Sequence, residues 1–325
     1  MRPTPLRLLA SALAVLVWAG CALAQGYPTK PIRIITPYVA GGSADITARS
    51  IGQKLSESLG VPVVVENRGG ANGMLGTDAV AKAAPDGTTV LLVASGPIVI
   101  NPALYPKVPY NATKDLVPVV QATTFQYVMV VPAASPIKTL PDLVAQAKAK
   151  PGEPSYGSTG IGGGNHLAGE LLALMSGTQL THVPYKGSAQ ALTDLLGGQL
   201  AFTFDTVITS VPFINRGQIR AVAVTGPRRA SSLPGVPTLD ELGLKGFEIT
   251  QWQGFFVPAG TDKAIVARLN EAVNKALRAP DIVERLVQQG GLEIVGGTPE
   301  DFAKVIEADT ARYAALIRQA NVKPE

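Results

Sequence analysis

Short apolar runs alternate along this chain with stretches in which apolar residues recur every three or four positions. Ile32–Thr36 (IRIIT) reads as a strand, and Ala44–Leu59 as a helix that sets Ile46, Ile51, Leu55 and Leu59 on one face. Val61–Glu66 is the next strand, Met74–Ala84 the next helix and Thr88–Ala94 a third strand. This βαβαβ rhythm predicts a parallel sheet with helices on both faces. A Pro-rich connection, Pro97 to Pro118, interrupts it. A second series begins at Tyr127–Val131, with strands near Ser155–Ser158, Leu180–Pro184 and Leu200–Phe204 and helices near 139–149, 165–176 and 187–197. A strand near Ile219–Thr225 and the loop Ser231–Pro237 lead back towards the first sheet. Strands around Phe247–Val257 and Leu292–Val295, with helices near 262–278 and 299–320, close the chain. The pattern predicts an α/β protein of two lobes around a cleft. Residues 25–122 with 228–325 form one lobe, and 123–227 the other.

The beginning of the chain is different in kind. Arg2 and Arg7 precede an apolar run, Leu8–Gly20, and Ala22-Leu23-Ala24 supplies the small-residue pattern that a signal peptidase reads. The run is too short to cross a bilayer core of roughly 30 Å as a helix. Residues 1–24 therefore read as a signal peptide, and the mature chain is expected in the periplasm. Gly20-Cys21 offers a lipoprotein anchor as the alternative, although Trp18 stands where such signals usually carry Leu. Cleavage after Ala24 leaves no cysteine and hence no disulfide. Hydrophobic residues make up 46% of the chain and charged residues 16%, which suits a compact fold. The 28 basic and 24 acidic residues are scattered, without a basic run, so nucleic acid is not an expected partner.

Candidate chemistry is concentrated in three connectors of one design: strand, Gly-rich turn, helix. They are Pro37-Tyr38-Val39-Ala40-Gly41-Gly42-Ser43, Asn67-Arg68-Gly69-Gly70-Ala71-Asn72-Gly73 and Thr159-Gly160-Ile161-Gly162-Gly163-Gly164-Asn165. Glycine lets backbone come close, and a helix start presents unpaired N–H groups with a partial positive charge. Such a place binds an anion without a cationic side chain. Turns of this kind lie at the carboxyl ends of parallel strands, where ligands collect. The same turns also serve plain tight packing in many α/β proteins. None matches a dinucleotide fingerprint, because Asn165 stands where the last glycine belongs, and no Walker phosphate loop occurs.

Catalysis finds little support in the residues. His166 and His182 are not at metal-ligand spacing, no mature cysteine accompanies them, and both read as structural. Gly157-Ser158-Thr159-Gly160 lacks the spacing of a nucleophile elbow, so Ser158 reads as a hydroxyl donor at a strand end. Asp205 has two readings, a cleft carboxylate or the cap of the next helix. Asp45 favours the positive end of its helix, Lys186 is either a ligand counter-charge or a solvated turn lysine, and Trp252 either packs or lines the cleft. No metal and no cofactor is expected.

The order KPIRIITPYVAGGSAD…AR, VVVENRGGANG, PDGTTVL, SYGSTGIGGGNHLAGEL, HVPYKG, DLLGGQL, LPGVPTLDELG and QWQGFFVPAG resembles the Bug (TctC-like) receptors of tripartite tricarboxylate transporters, from about Tyr27 to the C-terminus. The resemblance implies the type II periplasmic-binding-protein fold, closing on a small carboxylated solute for delivery to two membrane subunits, with a sensor role in some members. It implies a binding protein, not an enzyme, expected as a monomer. It places at the ligand Tyr38, Ala40, Gly41, Gly42, Ser43 and Asp45 from the first connector, and Asn67, Gly70, Ala71 and Asn72 from the second. From the other lobe it adds Ser158, Thr159, Gly160, Gly164 and Asn165, and suggests Asp205. Tyr38 replaces the usual Phe, Gly69-Gly70 the usual Pro-Gly, and Gly164 the usual Ser.

Overall fold

The computed structural model describes residues 26–324, so the segment read as a signal peptide, Cys21 included, lies outside the described residues. The chain follows β1 (Ile32–Thr36), α1 (Ser43–Leu59), β2 (Val63–Asn67), α2 (Met74–Ala81) and β3 (Thr89–Ala94). A π-helical turn, Gly96–Ile100, and α3 (Asn101–Leu104) lead to β4 (Leu116–Pro132). Then come α4 (Leu140–Ala149), β5 (Ser155–Ser158), α5 (Gly164–Ser176), β6 (Thr181–Pro184), α6 (Ser188–Leu196), β7 (Phe202–Thr206), α7 (Val207–Asn215) and β8 (Ile219–Val224). The chain ends with β9 (Thr250–Pro258), α8 (Lys263–Leu277), α9 (Pro280–Val283), β10 (Glu293–Ile294) and α10 (Pro299–Gln319).

The strands form two sheets of similar plan. One runs β2-β1-β3-β9-β4, and the other β6-β5-β7-β4-β8. In each, three parallel strands are followed by an antiparallel one, β9 beside β3 and β4 beside β7. The βαβαβ rhythm accounts for the parallel strands β1, β2 and β3. The antiparallel strand in each sheet arrives from the other sheet and so runs the opposite way.

β4 belongs to both sheets. Its residues up to Gln126 pair with β9, whereas Tyr127–Val130 pair with β7. The chain crosses back after β8, where Thr225 N donates to Tyr127 O at 2.9 Å. Pro118 sits at a register shift inside β4, a place where a strand tolerates proline. Proline content therefore marked as connection the first three residues of a strand, Leu116–Pro118. The inner parallel strands β3 and β7 are dry on both faces. In β3 all of Thr89–Val93 is buried, and in β7 all of Phe202–Thr206. Amphipathic α8 buries Val266, Leu269, Val273 and Ala276 against the outer face of the first sheet. Cores on the outer faces leave the inner edge, where the strands end and helices begin, for the site.

Candidate functional site

A cleft of about 610 Å³, counted to its open mouth, lies between the two sheets. Of the residues singled out from the sequence, Tyr38, Gly42, Ser43, Asn72, Thr159, Gly164 and Asn165 line it. Gly70, Ala71 and Gly160 line an adjoining pocket that shares Tyr38, Asn72 and Thr159 with the cleft.

Three helix starts meet there. α1 begins after Gly42, α5 after Gly163 and α6 after Gly187; all three preceding glycines line the cleft, and none of these starts has a side-chain cap. Side-chain caps stand on three helices away from the cleft, Thr139 for α4, Asp262 for α8 and Thr298 for α10, whereas α2, α3, α7 and α9 also begin without one. Glycine in place of a capping side chain leaves backbone N–H groups to face whatever fills the cleft. No lining residue of the cleft carries a formal charge. Aromatic walls are supplied by Tyr38, Phe125 and Tyr127, the last two 5.5 Å apart edge to face.

The remaining candidates stand behind the wall and shape it. Asp45 Oδ2 accepts from Gly41 N at 3.0 Å and its other oxygen pairs with Arg49 at 2.9 Å, which fixes the first turn. Burial alone would raise this carboxyl, but hydrogen bonds from Arg49 and Gly41 prevail and hold it below the usual range. Asn67 Nδ2 donates to Thr36 Oγ1 at 2.8 Å and to Tyr38 O at 3.2 Å, tying β2 to the same turn. Ala40 and Gly41 face outward. Asp205 lies within β7 and is buried; it accepts from Ser210 at 2.8 Å and from Thr209, at the start of α7. Burial pushes its pKa up against those bonds.

Ser158, His166 and His182 form a knot under the third turn. Ser158 Oγ is 2.6 Å from His182 Nε2, and Gly160 N donates to Ser158 Oγ at 3.1 Å. The imidazoles stack 4.0 Å apart, and Gly162 N donates to His166 Nδ1 at 3.1 Å. Ser158 is wholly buried and does not line the cleft, and this serine–histidine pair holds the loop. Among the described residues no cluster of three or more metal-binding side chains occurs.

Sequence reasoning missed Gln251, Gln253, Gly187 and Ser188, all at the cleft. Gln251 accepts from Ser95 Oγ at 2.6 Å and donates to Tyr313 at 2.8 Å, while Gln253 donates to Ser43 Oγ at 2.8 Å. Trp252 points the other way and donates to Asp309 at 2.9 Å, packed edge-on against Phe302. The signal was present: glutamines at alternate positions of a buried strand mark a face that meets something polar.

Comparison with known proteins agrees with this architecture. The profile described as "Tripartite tricarboxylate transporter family receptor" matches residues 47–322. Protein BugT of Bordetella pertussis (strain Tohama I) is 38% identical over 321 residues, 98% of each chain. The structure "R. palustris Rpa4515 with adipate" superposes with a TM-score of 0.89 at 33% identity, covering 92% of this chain and 100% of that one. The structure of MatC (Rpa3494) from Rhodopseudomonas palustris with bound malate gives 0.85 at 30% identity, covering 90% and 100%. With its two-sheet plan and a profile match across most of its length, the chain belongs to the tripartite tricarboxylate transporter receptor (TctC/Bug) family of periplasmic solute-binding proteins, which are not enzymes.

Proposed function

We propose that this chain is an exported receptor that captures a small carboxylated solute between two lobes and hands it to the membrane subunits of a tripartite tricarboxylate transporter. The observation that carries this reading is convergence: three uncapped, glycine-led helix starts meet at one cleft lined by no charged side chain. A carboxylate at that point accepts from backbone N–H groups and is stabilised by the helix dipoles, with no cationic side chain needed. The relatives whose structures hold adipate and malate support the ligand class. In this reading residues 1–24 are a cleaved signal peptide, and the lobes are 25–122 with 228–325, and 123–227. The protein acts as a monomer without a cofactor. Tyr38, Gly42, Ser43, Asn72, Thr159, Gly164 and Asn165 face the solute, and the other candidates hold their loops.

Calorimetric titration of residues 25–325 with malate, adipate and the corresponding diamides tests the anion reading. Heat with the acids and none with the amides is expected. Equal binding of the neutral amides would sink it. Uptake of a bound acid should then depend on the receptor and on the transporter's membrane subunits alike.

A further inference from the structure

The pocket beside the central cleft is built from both lobes. Gly70, Ala71, Asn72 and Gly73 form one side, and Pro184, Tyr185 and Lys186 the other. Among the described residues, Lys186 is the one formally charged residue lining either the cleft or this pocket. It is exposed and makes no ion pair among the described residues. Its backbone is nonetheless well held. Tyr185 N donates to Ser158 O at 2.9 Å, Tyr185 Oη to Asp194 at 2.7 Å, and Lys186 N to Gln190 Oε1 at 3.2 Å. Gly187, next in the chain, lies so close to the opposite lobe that an added Cβ would come within 2.3 Å of Val39 Cγ2. The lysine therefore stands at a fixed rim, over space continuous with the cleft.

We infer that Lys186 is a specificity residue for a second anionic group: it takes the outer carboxylate of a diacid whose inner carboxylate lies at the three helix starts. This rests on the receptor reading above. The physical need is plain. The cleft itself is neutral, and drawing a second carboxylate towards its apolar walls without a counter-charge is costly. An ammonium on a flexible stem supplies that charge and three donors. Because Lys186 comes from one lobe and the Gly70–Gly73 turn from the other, an acid that reaches this pocket also adds to lobe closure.

The test compares adipate and malate with their mono-amides, which keep the length and lose one charge, on the wild type, Lys186→Gln and Lys186→Arg by calorimetry. The wild type prefers each diacid to its mono-amide. In Lys186→Gln that preference ratio falls by about two- to fivefold, the range for one ion pair at an exposed site, and Lys186→Arg largely keeps it. A matching thermal midpoint of the free proteins establishes that the variants fold. A wild type that binds diacid and mono-amide alike, or a Lys186→Gln protein that keeps the ratio, overturns the subsite and leaves the receptor reading standing. Binding of none of the four compounds by the wild type overturns both.

Discussion

Gly41 and Gly42 look interchangeable in the sequence, yet their backbones separate them. Gly41 has φ +84°, a conformation that L side chains rarely adopt, whereas Gly42 has φ −82° and room for a Cβ, whose nearest neighbour would be Val39 O at 3.8 Å. Gly42→Val should therefore reduce solute affinity at least tenfold with little change in the urea midpoint, because its methyls enter the cleft. Gly41→Val should cost about 1–2 kcal/mol of stability from the left-handed backbone, and only secondarily affect binding. Paired denaturation and titration curves separate the two effects. His182 gives a second residue-level prediction. Burial, then the stacked His166, lower its pKa from 6.5 to about 3, against a weaker pull from Glu170. Between those values the unfolded chain binds a proton that the folded chain does not, so stability is complete above pH 6.5 and declines as pH falls towards 3. His182→Gln should flatten the pH dependence of the urea midpoint in that window. An unaltered slope would assign the acid sensitivity to other groups.

At the scale of elements, the parts that the sequence revealed are those whose burial leaves an unbroken apolar run. β3 (TVLLVA) is such a strand, and the helix beginning beside Gly42 has its apolar stripe at helical spacing. β4 was half hidden because its crossing region, Gln121, Thr123, Thr124 and Gln126, is polar, and hydrogen bonds across the hinge satisfy part of it. Thr123 faces Gln253, and Gln126 donates to Arg228 O at 3.0 Å and accepts from Gly226 N at 2.8 Å. The helix that starts at Ser188 is legible in the sequence, but its place at the cleft is not: Tyr185-Lys186-Gly187 carries a single glycine, and only folding brings it beside the other two. Nor did the Pro-rich connection announce its own role. Its π turn and α3 end in Tyr105, whose hydroxyl donates across the cleft to Ile161 O at 2.9 Å. Tyr105→Phe removes that bond, and a net hydrogen bond is worth about 1 kcal/mol. Solute affinity should fall roughly fivefold by calorimetry. An unchanged dissociation constant would mean that open and closed forms make the bond equally.

For the whole molecule, the question is what lets two lobes meet so closely around one cleft. Two crossings, β4 at Gln126 and Tyr127 and the return at Thr225 and Gly226, are tied to each other, so the lobes can rotate about one narrow band. Closure then depends on places with no side chain in the way. At Gly164 an added Cβ would lie 2.6 Å from the Gln251 amide and 2.7 Å from the Tyr127 hydroxyl. Gln251 cannot swing aside freely, since Ser95 and Tyr313 both hold it. Gly164→Ala should thus penalise the closed form by the 1–3 kcal/mol typical of overpacking, about five- to a hundredfold in affinity. A ligand shifts the lobes only by its preference for the closed state, so small-angle scattering should show less compaction of the variant at matched ligand concentration. At about 100 times the dissociation constant the wild type should gain roughly 2.7 kcal/mol, a rise of at least about 4 °C in midpoint at an unfolding entropy of about 2.1 cal/mol/K per residue, and the variant less at that same concentration. If Gly164→Ala instead lowers the midpoint of the free protein and leaves affinity and compaction intact, the glycine serves packing within one lobe and the closure argument fails.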